Sequence, residues 1–135
     1  MWDIFKKKKH KPLAPPRPVR NLRGVLHMST VTLNWTNPTK RANGATLAPS
    51  DIAAVDIFDT SSENPSPTKI GTVTGGTPGA AATFTTPDLS VGYHNFDVVV
   101  DDTQGDVSAP SNIASFQIQL SPPAAVTDLR GVVNP

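Results

Sequence analysis

Short stretches in which hydrophobic and polar residues alternate follow one another along most of this chain. In the clearest of them, Val31, Leu33 and Trp35 fall on one side of an extended strand and polar residues on the other. Gly, Pro, Asn, Asp and Ser cluster between the stretches, which is typical of the turns of an all-β domain, and no stretch has a sustained helical period. The pattern predicts seven strands. Five of them lie at residues 19–25, 30–35, 52–58, 69–73 and 82–85. The sixth contains Phe96, Val98 and Val100 and ends at residues 101–102, and the seventh lies at residues 113–120.

Three of these stretches have a more specific character. Residues 31–38, Val-Thr-Leu-Asn-Trp-Thr-Asn-Pro, combine a core Trp with a following Pro, and residues 43–47, Asn-Gly-Ala-Thr-Leu, lead into the strand at 52–58. The strand at 96–100 continues through Gly105 to Ser-Ala-Pro-Ser-Asn at 108–112. In these stretches the sequence resembles a fibronectin type III domain of the bacterial or phage type. The resemblance implies a seven-stranded fibronectin III or immunoglobulin-like β-sandwich over residues 16–120.

The sequence departs from that family at the tyrosine corner, where a Tyr should follow a Leu by six residues and face the core from the sixth strand. Here Leu89 is followed by Tyr93 and His94, and the residue in register with Phe96 is His94. Either Tyr93 takes the role through a local bulge, or the corner is missing.

The chain's small net charge of +1 conceals an uneven distribution of charge between its first 23 residues and the rest. Residues 1–23 contain eight cations and one carboxylate, a net +7, whereas residues 24–135 contain four cations and ten carboxylates, a net −6. Such asymmetry indicates a basic arm attached to an acidic body. We therefore divide the chain into a basic, Pro-rich arm at 1–15, the domain at 16–120 and an extension at 121–135.

The arm carries the strongest functional signal in the sequence, because aromatic residues flank a run of lysines. We expect the arm to bind a protein partner, with its aromatic residues as anchors and its lysines facing an acidic surface of the partner. That partner is a capsid protein, a tail protein or the acidic body of another copy of this chain. Nucleic-acid phosphates and an anionic membrane are the other partners that clustered cations suit, and a solvated basic tail is the simplest alternative. The residues assigned to this contact are Trp2, Phe5, Lys6, Lys7, Lys8, Lys9 and Lys11.

The extension repeats the start of the domain. Residues 15–25, Pro-Pro-Arg-Pro-Val-Arg-Asn-Leu-Arg-Gly-Val, match residues 122–132, Pro-Pro-Ala-Ala-Val-Thr-Asp-Leu-Arg-Gly-Val, at an offset of 107. The extension thus resembles the first strand of a second repeat whose other strands are absent. It is either a loosely ordered remnant or end of a tandem array, or a strand that pairs with another chain's open sheet edge through Val126, Leu129 and Val132.

Nothing in the sequence indicates catalysis, so we expect no enzyme, no cofactor and no metal site. The chain has no Cys, its three histidines lack ligand spacing, and nucleophile and nucleotide motifs are absent. The acidic loop at 101–106 lacks the ligand pattern of a calcium site and fits a hairpin turn. The sequence also predicts neither a secretory signal nor a membrane-spanning run.

These features predict a non-enzymatic structural protein that belongs to an oligomeric assembly. A bacteriophage virion component, either capsid decoration or tail, fits a displayed sandwich with terminal arms that dock on neighbouring subunits, and would assemble in the host cytoplasm. The alternative is an extracellular binding or spacer module of a bacterial cell-surface or carbohydrate-degrading protein.

Overall fold

The computed structural model describes residues 13–61 and 67–135. Within these residues seven strands pack as two antiparallel sheets, and no helix is long and apolar enough to cross a membrane. The three-stranded sheet has the order β1-β2-β5 and the four-stranded sheet the order β4-β3-β6-β7. The predicted all-β, seven-stranded sandwich is therefore confirmed. The strands are β1 (Arg23–His27), β2 (Thr30–Thr36), β3 (Ile52–Asp59), β4 (Thr68–Thr74), β5 (Ala81–Thr85), β6 (Gly92–Asp102) and β7 (Ala114–Ile118).

The core lies between the sheets and is formed by every second residue of the central strands. Trp35 is its largest member, packed among residues such as Leu33, Ile57 and Phe96, all at most 1% exposed. The indole N–H of Trp35 donates a hydrogen bond of 2.9 Å to Oδ1 of Asn37, so the one polar atom of this side chain is satisfied in the interior. The alternation seen in the sequence is thus the burial pattern of the sheets.

The first predicted strand is shifted in the structure, because β1 begins at Arg23 and not at residue 19. Pro16 and Pro18 have no N–H to give to a sheet, so the preceding segment is held by other bonds. The N–H of Arg17 donates to the carbonyl of Lys40 (3.1 Å). The Asn112 side chain accepts from the N–H of Leu22 (3.0 Å) and donates to its carbonyl (2.9 Å). Val19 and Leu22 nevertheless reach the core, at 1% and 4% exposure.

The acidic loop after β6 is a turn held by its own carboxylate. Oδ1 of Asp102 accepts hydrogen bonds from the backbone N–H groups of Gln104 (2.9 Å) and Asp106 (2.8 Å). Gly105 has φ of +88°, in the left-handed region that glycine tolerates best. Asp102 and Gly105 therefore serve the backbone geometry of this loop.

The described chain enters and leaves the sandwich at opposite ends. Arg41 joins the carbonyl of Ala14 to Asp102, the last residue of β6, which places the start of the domain at that end. At the other end Ile118, the last residue of β7, pairs with Gly92, the first residue of β6. The basic arm and the extension are thus attached about one strand length apart.

Candidate interaction site

The residues assigned to partner binding fall into two groups with different outcomes. Trp2, Phe5, Lys6, Lys7, Lys8, Lys9 and Lys11 lie outside the described residues. The extension is described, and its residues 121–135 have no regular secondary structure and are exposed throughout. Val126, Leu129 and Val132 are 76%, 90% and 86% exposed, and Val133 is 95% exposed. The division of the chain at residues 15 and 120 stays a prediction.

Three carboxylates share the outer face of the four-stranded sheet, since Asp56, Asp97 and Asp101 each neighbour core-facing residues on β3 or β6. We call this set the acidic face. Nζ of Lys69 lies 3.1 Å from Oδ1 of Asp56, and the hydroxyl of Thr72 donates to the same oxygen at 2.8 Å. The face therefore has one lysine against three carboxyl groups among the described residues.

The environment of the acidic face resists full ionisation of its carboxyl groups. Burial and a hydrogen bond with Asp56 raise the pKa of Asp101 to about 6, and burial raises the pKa of Asp97. For Asp56, burial opposes ionisation, but hydrogen bonds from Asp101, Thr72 and Lys69 outweigh it and lower its pKa. An additional cation over this face would relieve the repulsion between its carboxylates.

A second charged group lies at the end where the chain enters. The guanidinium of Arg41 is buried and donates to Oδ2 of Asp102 at 2.8 Å, to Oδ2 of Asp51 at 3.0 Å and to the carbonyl of Ala14 at 2.9 Å. The N–H of Ala42 also donates to the carbonyl of Pro15 at 2.8 Å. Residues 14 and 15 are thus fixed to the body, so the basic arm starts from a defined point beside β6.

His94 occupies the place of the missing tyrosine corner. Tyr93 is 71% exposed, which excludes the alternative in which it turns inward, whereas His94 is buried against Phe96 with parallel rings 6.1 Å apart. Nε2 of His94 lies 2.8 Å from the carbonyl of Ser90, four residues upstream, and Nδ1 lies 2.6 Å from Oδ2 of Asp59. A tyrosine corner also bonds to backbone a few residues upstream, so the imidazole performs the same structural task.

The hydrogen bonds of His94 indicate that the ring is an imidazolium. A backbone carbonyl only accepts and an ionised carboxylate only accepts, so both ring nitrogens must donate. Burial lowers the pKa of His94, but the bonds to Asp59 and Ser90 outweigh it and raise the pKa above its ordinary value. The Ser61 hydroxyl also donates to Asp59 and not to the histidine. The group therefore has the residue types of a catalytic triad but lacks the hydrogen bond between serine and histidine that would activate the serine.

A cavity of about 500 Å³ opens beside this group, lined also by Ile70, Val91 and Tyr93. Its inner wall is the closed hydrogen-bond set of Asp59 and His94, which leaves no ring nitrogen free to act as a base. We assign this cavity no chemistry.

The His94 pair leads to a pH-dependent prediction. We expect His94→Gln to lower the free energy of unfolding by ~1–3 kcal/mol at pH 6, because a charge-assisted hydrogen bond is lost. The folded-state pKa is raised, so the contribution of His94 is fully present below its unfolded value, about 6.5, and is lost as pH rises through the folded value. Urea unfolding at pH 6 and pH 9 should therefore give a smaller difference at pH 9. His27→Gln, in the exposed β1–β2 hairpin, is the control, and a difference that grows with pH would contradict the ion pair.

Sequence reasoning located some of these features and missed others. It placed His94 on the inward register, but its partner Asp59 is 35 residues away and no local motif joins them. Arg41 lies between the strands predicted at 30–35 and 52–58, where a cation is normally exposed, although this residue is 3% exposed. The alternation of β3 and β6 does place Asp56, Asp97 and Asp101 on one face, and that signal was available in the sequence.

Comparison with known proteins supports the fold. No protein-family model matches the chain, and no curated protein matches it in sequence. A titin module, A71 from human cardiac muscle, is similar in structure, with a TM-score of 0.52 and 19% identity over 77% of this chain and 89% of the module. A hypothetical protein from Pyrococcus horikoshii has a TM-score of 0.48 and 8% identity over 85% of this chain and 98% of its own. An oxidised superoxide reductase has a TM-score of 0.47 and 6% identity over 81% of this chain and 94% of its own. The likeness to the titin module shows that the chain has an immunoglobulin-like β-sandwich fold.

Proposed function

We propose that this chain is a non-enzymatic structural protein whose two terminal segments dock on neighbouring subunits of an assembly. The assembly we propose is a bacteriophage virion, with the sandwich displayed as capsid decoration or as part of the tail. The observation that carries the proposal is the exposed, apolar extension at 121–135.

The extension has the chemistry of a docking segment. Four of its aliphatic side chains, at Val126, Leu129, Val132 and Val133, are at least 76% exposed. A cluster of exposed apolar side chains in one short segment is typical of an interaction site, because such side chains gain free energy only when a partner covers them. Its backbone N–H and C=O groups are equally available for pairing with a strand.

The basic arm supplies a second contact of a different kind. The described chain begins at Leu13, next to the Ala14 carbonyl that Arg41 holds, so the five lysines at 6–11 start from a fixed point. The acidic face is the complementary surface that the chain itself offers, on its own sheet or on that of a neighbouring copy. Attraction between these charges would favour association at low salt and weaken as salt rises.

A second candidate is supported by the repeat itself. A first-strand sequence that recurs after 107 residues is also expected in a tandem array of sandwich domains. In that case the domain is a binding or spacer module of a bacterial cell-surface or carbohydrate-degrading protein. A coding sequence that continues past Pro135 favours this candidate, whereas neighbouring capsid or tail genes favour the virion component.

Sedimentation velocity over a wide concentration range tests the proposal. We expect the full chain to form oligomers, and we expect Leu129→Asp or removal of residues 121–135 to shift the distribution to monomers. Thr127→Asp introduces the same charge two positions away and is the matched control, and tryptophan fluorescence verifies that each variant is folded. A full chain that stays monomeric, or an oligomer unaffected by either change, would overturn the proposal.

Salt and the arm variants separate the two contacts. Removing residues 1–12 should weaken association at low salt and have little effect at high salt, whereas the variants of the extension should weaken association at both salt concentrations. Binding of the full chain to insoluble cell-wall polysaccharide, without self-association, would favour the binding-module candidate.

A further inference from the structure

The repeat between residues 15–25 and 122–132 has a structural meaning that the sequence alone does not reveal. The identical positions include every residue of the first segment that the sandwich buries: Pro16, Val19 and Leu22 correspond to Pro123, Val126 and Leu129. The positions that differ are 17, 18, 20 and 21, all of them exposed or half-buried in the domain. The extension therefore retains the residues that the first segment buries in the sandwich.

The glycine of the repeat is the most restrictive of these positions. A Cβ atom on Gly24 would lie 2.9 Å from the Val31 side chain and 3.0 Å from both the Phe116 ring and the Thr32 carbonyl oxygen, so a larger residue there would force its neighbours to shift. The extension has Gly131 at this position. Pairing with an open sheet edge requires no glycine at this position, whereas binding at the site on the sandwich that residues 15–25 occupy does require one. We call that site the first-segment groove.

The hydrogen bonds of the groove are also available to the extension. The bonds from the sandwich to Pro15, Arg17 and Leu22 use only their backbone groups, which Pro122, Ala124 and Leu129 also have. The Asn21 side chain makes two bonds to Thr36: its Oδ1 accepts from the backbone N–H at 3.0 Å, and its amide donates to the hydroxyl at 2.9 Å. Asp128, at the matching position, can accept the first bond, and the Thr36 hydroxyl can donate to it in place of the second.

The extension cannot reach the groove of its own sandwich. Pro16 lies at the Asp102 end of β6, and Ile118 lies at the Gly92 end, about 33 Å away for ten strand intervals. The five residues from Ile118 to Pro123 span at most ~18 Å. The occupied groove must therefore belong to another copy.

We infer that the extension of one copy inserts into the first-segment groove of a second copy and replaces residues 15–25 there. This inference rests on the proposed function and specifies its partner, a second copy of this chain. Because the extension leaves at the end opposite to the start of the groove, the contact is head-to-tail and propagates into linear oligomers. The displaced segment carries the basic arm out with it, which frees the arm for a separate contact.

Site-specific crosslinking of the full chain tests this contact, because the protein has no Cys of its own. In the domain the Asn21 amide lies 2.9 Å from the Thr36 hydroxyl, so insertion brings position 128 against position 36 of the neighbour. A chain with Thr36→Cys and Asp128→Cys, treated with a short thiol-specific crosslinker, should form a ladder of covalent oligomers. The matched control keeps Thr36→Cys and carries Ala124→Cys, at a position corresponding to Arg17, four residues or ~13 Å away along the strand.

We expect the 36–128 pair to crosslink at least roughly tenfold faster than the control, since groups held together have effective concentrations in the millimolar range. Gly131→Val should abolish the ladder, and Thr127→Val, at a position corresponding to exposed Arg20, should leave it unchanged. Equal rates for the two cysteine pairs, or a ladder that survives Gly131→Val, would overturn the inference and leave edge pairing as the contact.

The two proposals can fail separately. Loss of oligomers on removal of residues 121–135, together with no preference for the 36–128 pair, retains docking by the extension and rejects the groove. A monomeric full chain that forms no ladder rejects both.

Discussion

Trp35→Ala is expected to lower the free energy of unfolding by ~3–5 kcal/mol, the largest loss for a single apolar residue in this domain. Trp35 is 1% exposed and lies on β2, the middle strand of the three-stranded sheet. Its removal opens a cavity between the sheets that the surrounding β-branched residues cannot fill. It also leaves Oδ1 of Asn37, itself buried, without the 2.9 Å bond from the indole.

Chemical denaturation followed by circular dichroism measures this loss, since the substitution removes the main fluorophore of the core. Leu120→Ala, at a side chain that is 80% exposed, should change stability by less than ~0.5 kcal/mol and is the control. Asn37→Ala should cost ~1–3 kcal/mol, because it leaves the indole N–H unpaired inside the sandwich. A loss below ~1 kcal/mol for Trp35→Ala would mean that β2 does not face the core in this register.

The sequence pattern was sufficient for β2, β3 and the centre of β6 because each buries one face. In such strands a shift by one residue would expose every apolar side chain, so alternation alone determines which residues face inward. The first segment behaves differently, because it contains two prolines and is held by two hydrogen bonds between the backbone of Leu22 and the Asn112 side chain in place of a regular ladder. The sequence pattern predicts a strand there but misplaces its start, and the buried Val19 and Leu22 are three residues apart and do not follow the two-residue period of a strand.

The charged groups were less accessible to sequence reasoning, because their partners are distant along the chain. Arg41 bonds to Asp102 across 61 residues and His94 bonds to Asp59 across 35, so neither pair forms a local motif. A cation in a loop between polar residues is normally exposed, and only the fold reveals two carboxylates around this one. The acidic face is intermediate between these cases. The alternation of β3 and β6 predicts which carboxylates share the face, but the shifts in their pKa values can be assigned only from the structure.

Arg41→Met is expected to lower the free energy of unfolding by ~3–5 kcal/mol at pH 7, because it leaves a buried carboxylate without its counter-ion. The side chain of Asp102 is fully buried and that of Arg41 is 4% exposed. Burial disfavours the charge on Asp102, but the bonds from Arg41 and from the turn's N–H groups outweigh it and hold its pKa below the usual value. Asp51 is more exposed, so Asp51→Asn should cost less.

Acid should reduce the difference between Arg41→Met and the parent chain. In the parent the lowered pKa of Asp102 gives a contribution that is present above about pH 4 and lost as pH falls through the folded value. In the variant the carboxyl group has no counter-ion and can take up a proton at mildly acidic pH, which removes the buried charge. Urea unfolding at pH 7 and pH 4.5 should therefore give the larger difference at pH 7.

A double variant separates the charge effect from packing. Replacing both partners, with Arg41→Met and Asp102→Leu, removes the unpaired charge and should recover part of the loss, although the turn's N–H groups lose their acceptor. The single variant also removes the donor to the Ala14 carbonyl, so trypsin should cleave after Arg20 faster than in the parent chain. Such loosening would release residues 15–25 from their groove and increase crosslinking between positions 36 and 128 in the cysteine-bearing chain. Unchanged stability at pH 7 together with unchanged cleavage would mean that Arg41 does not hold the start of the domain in place.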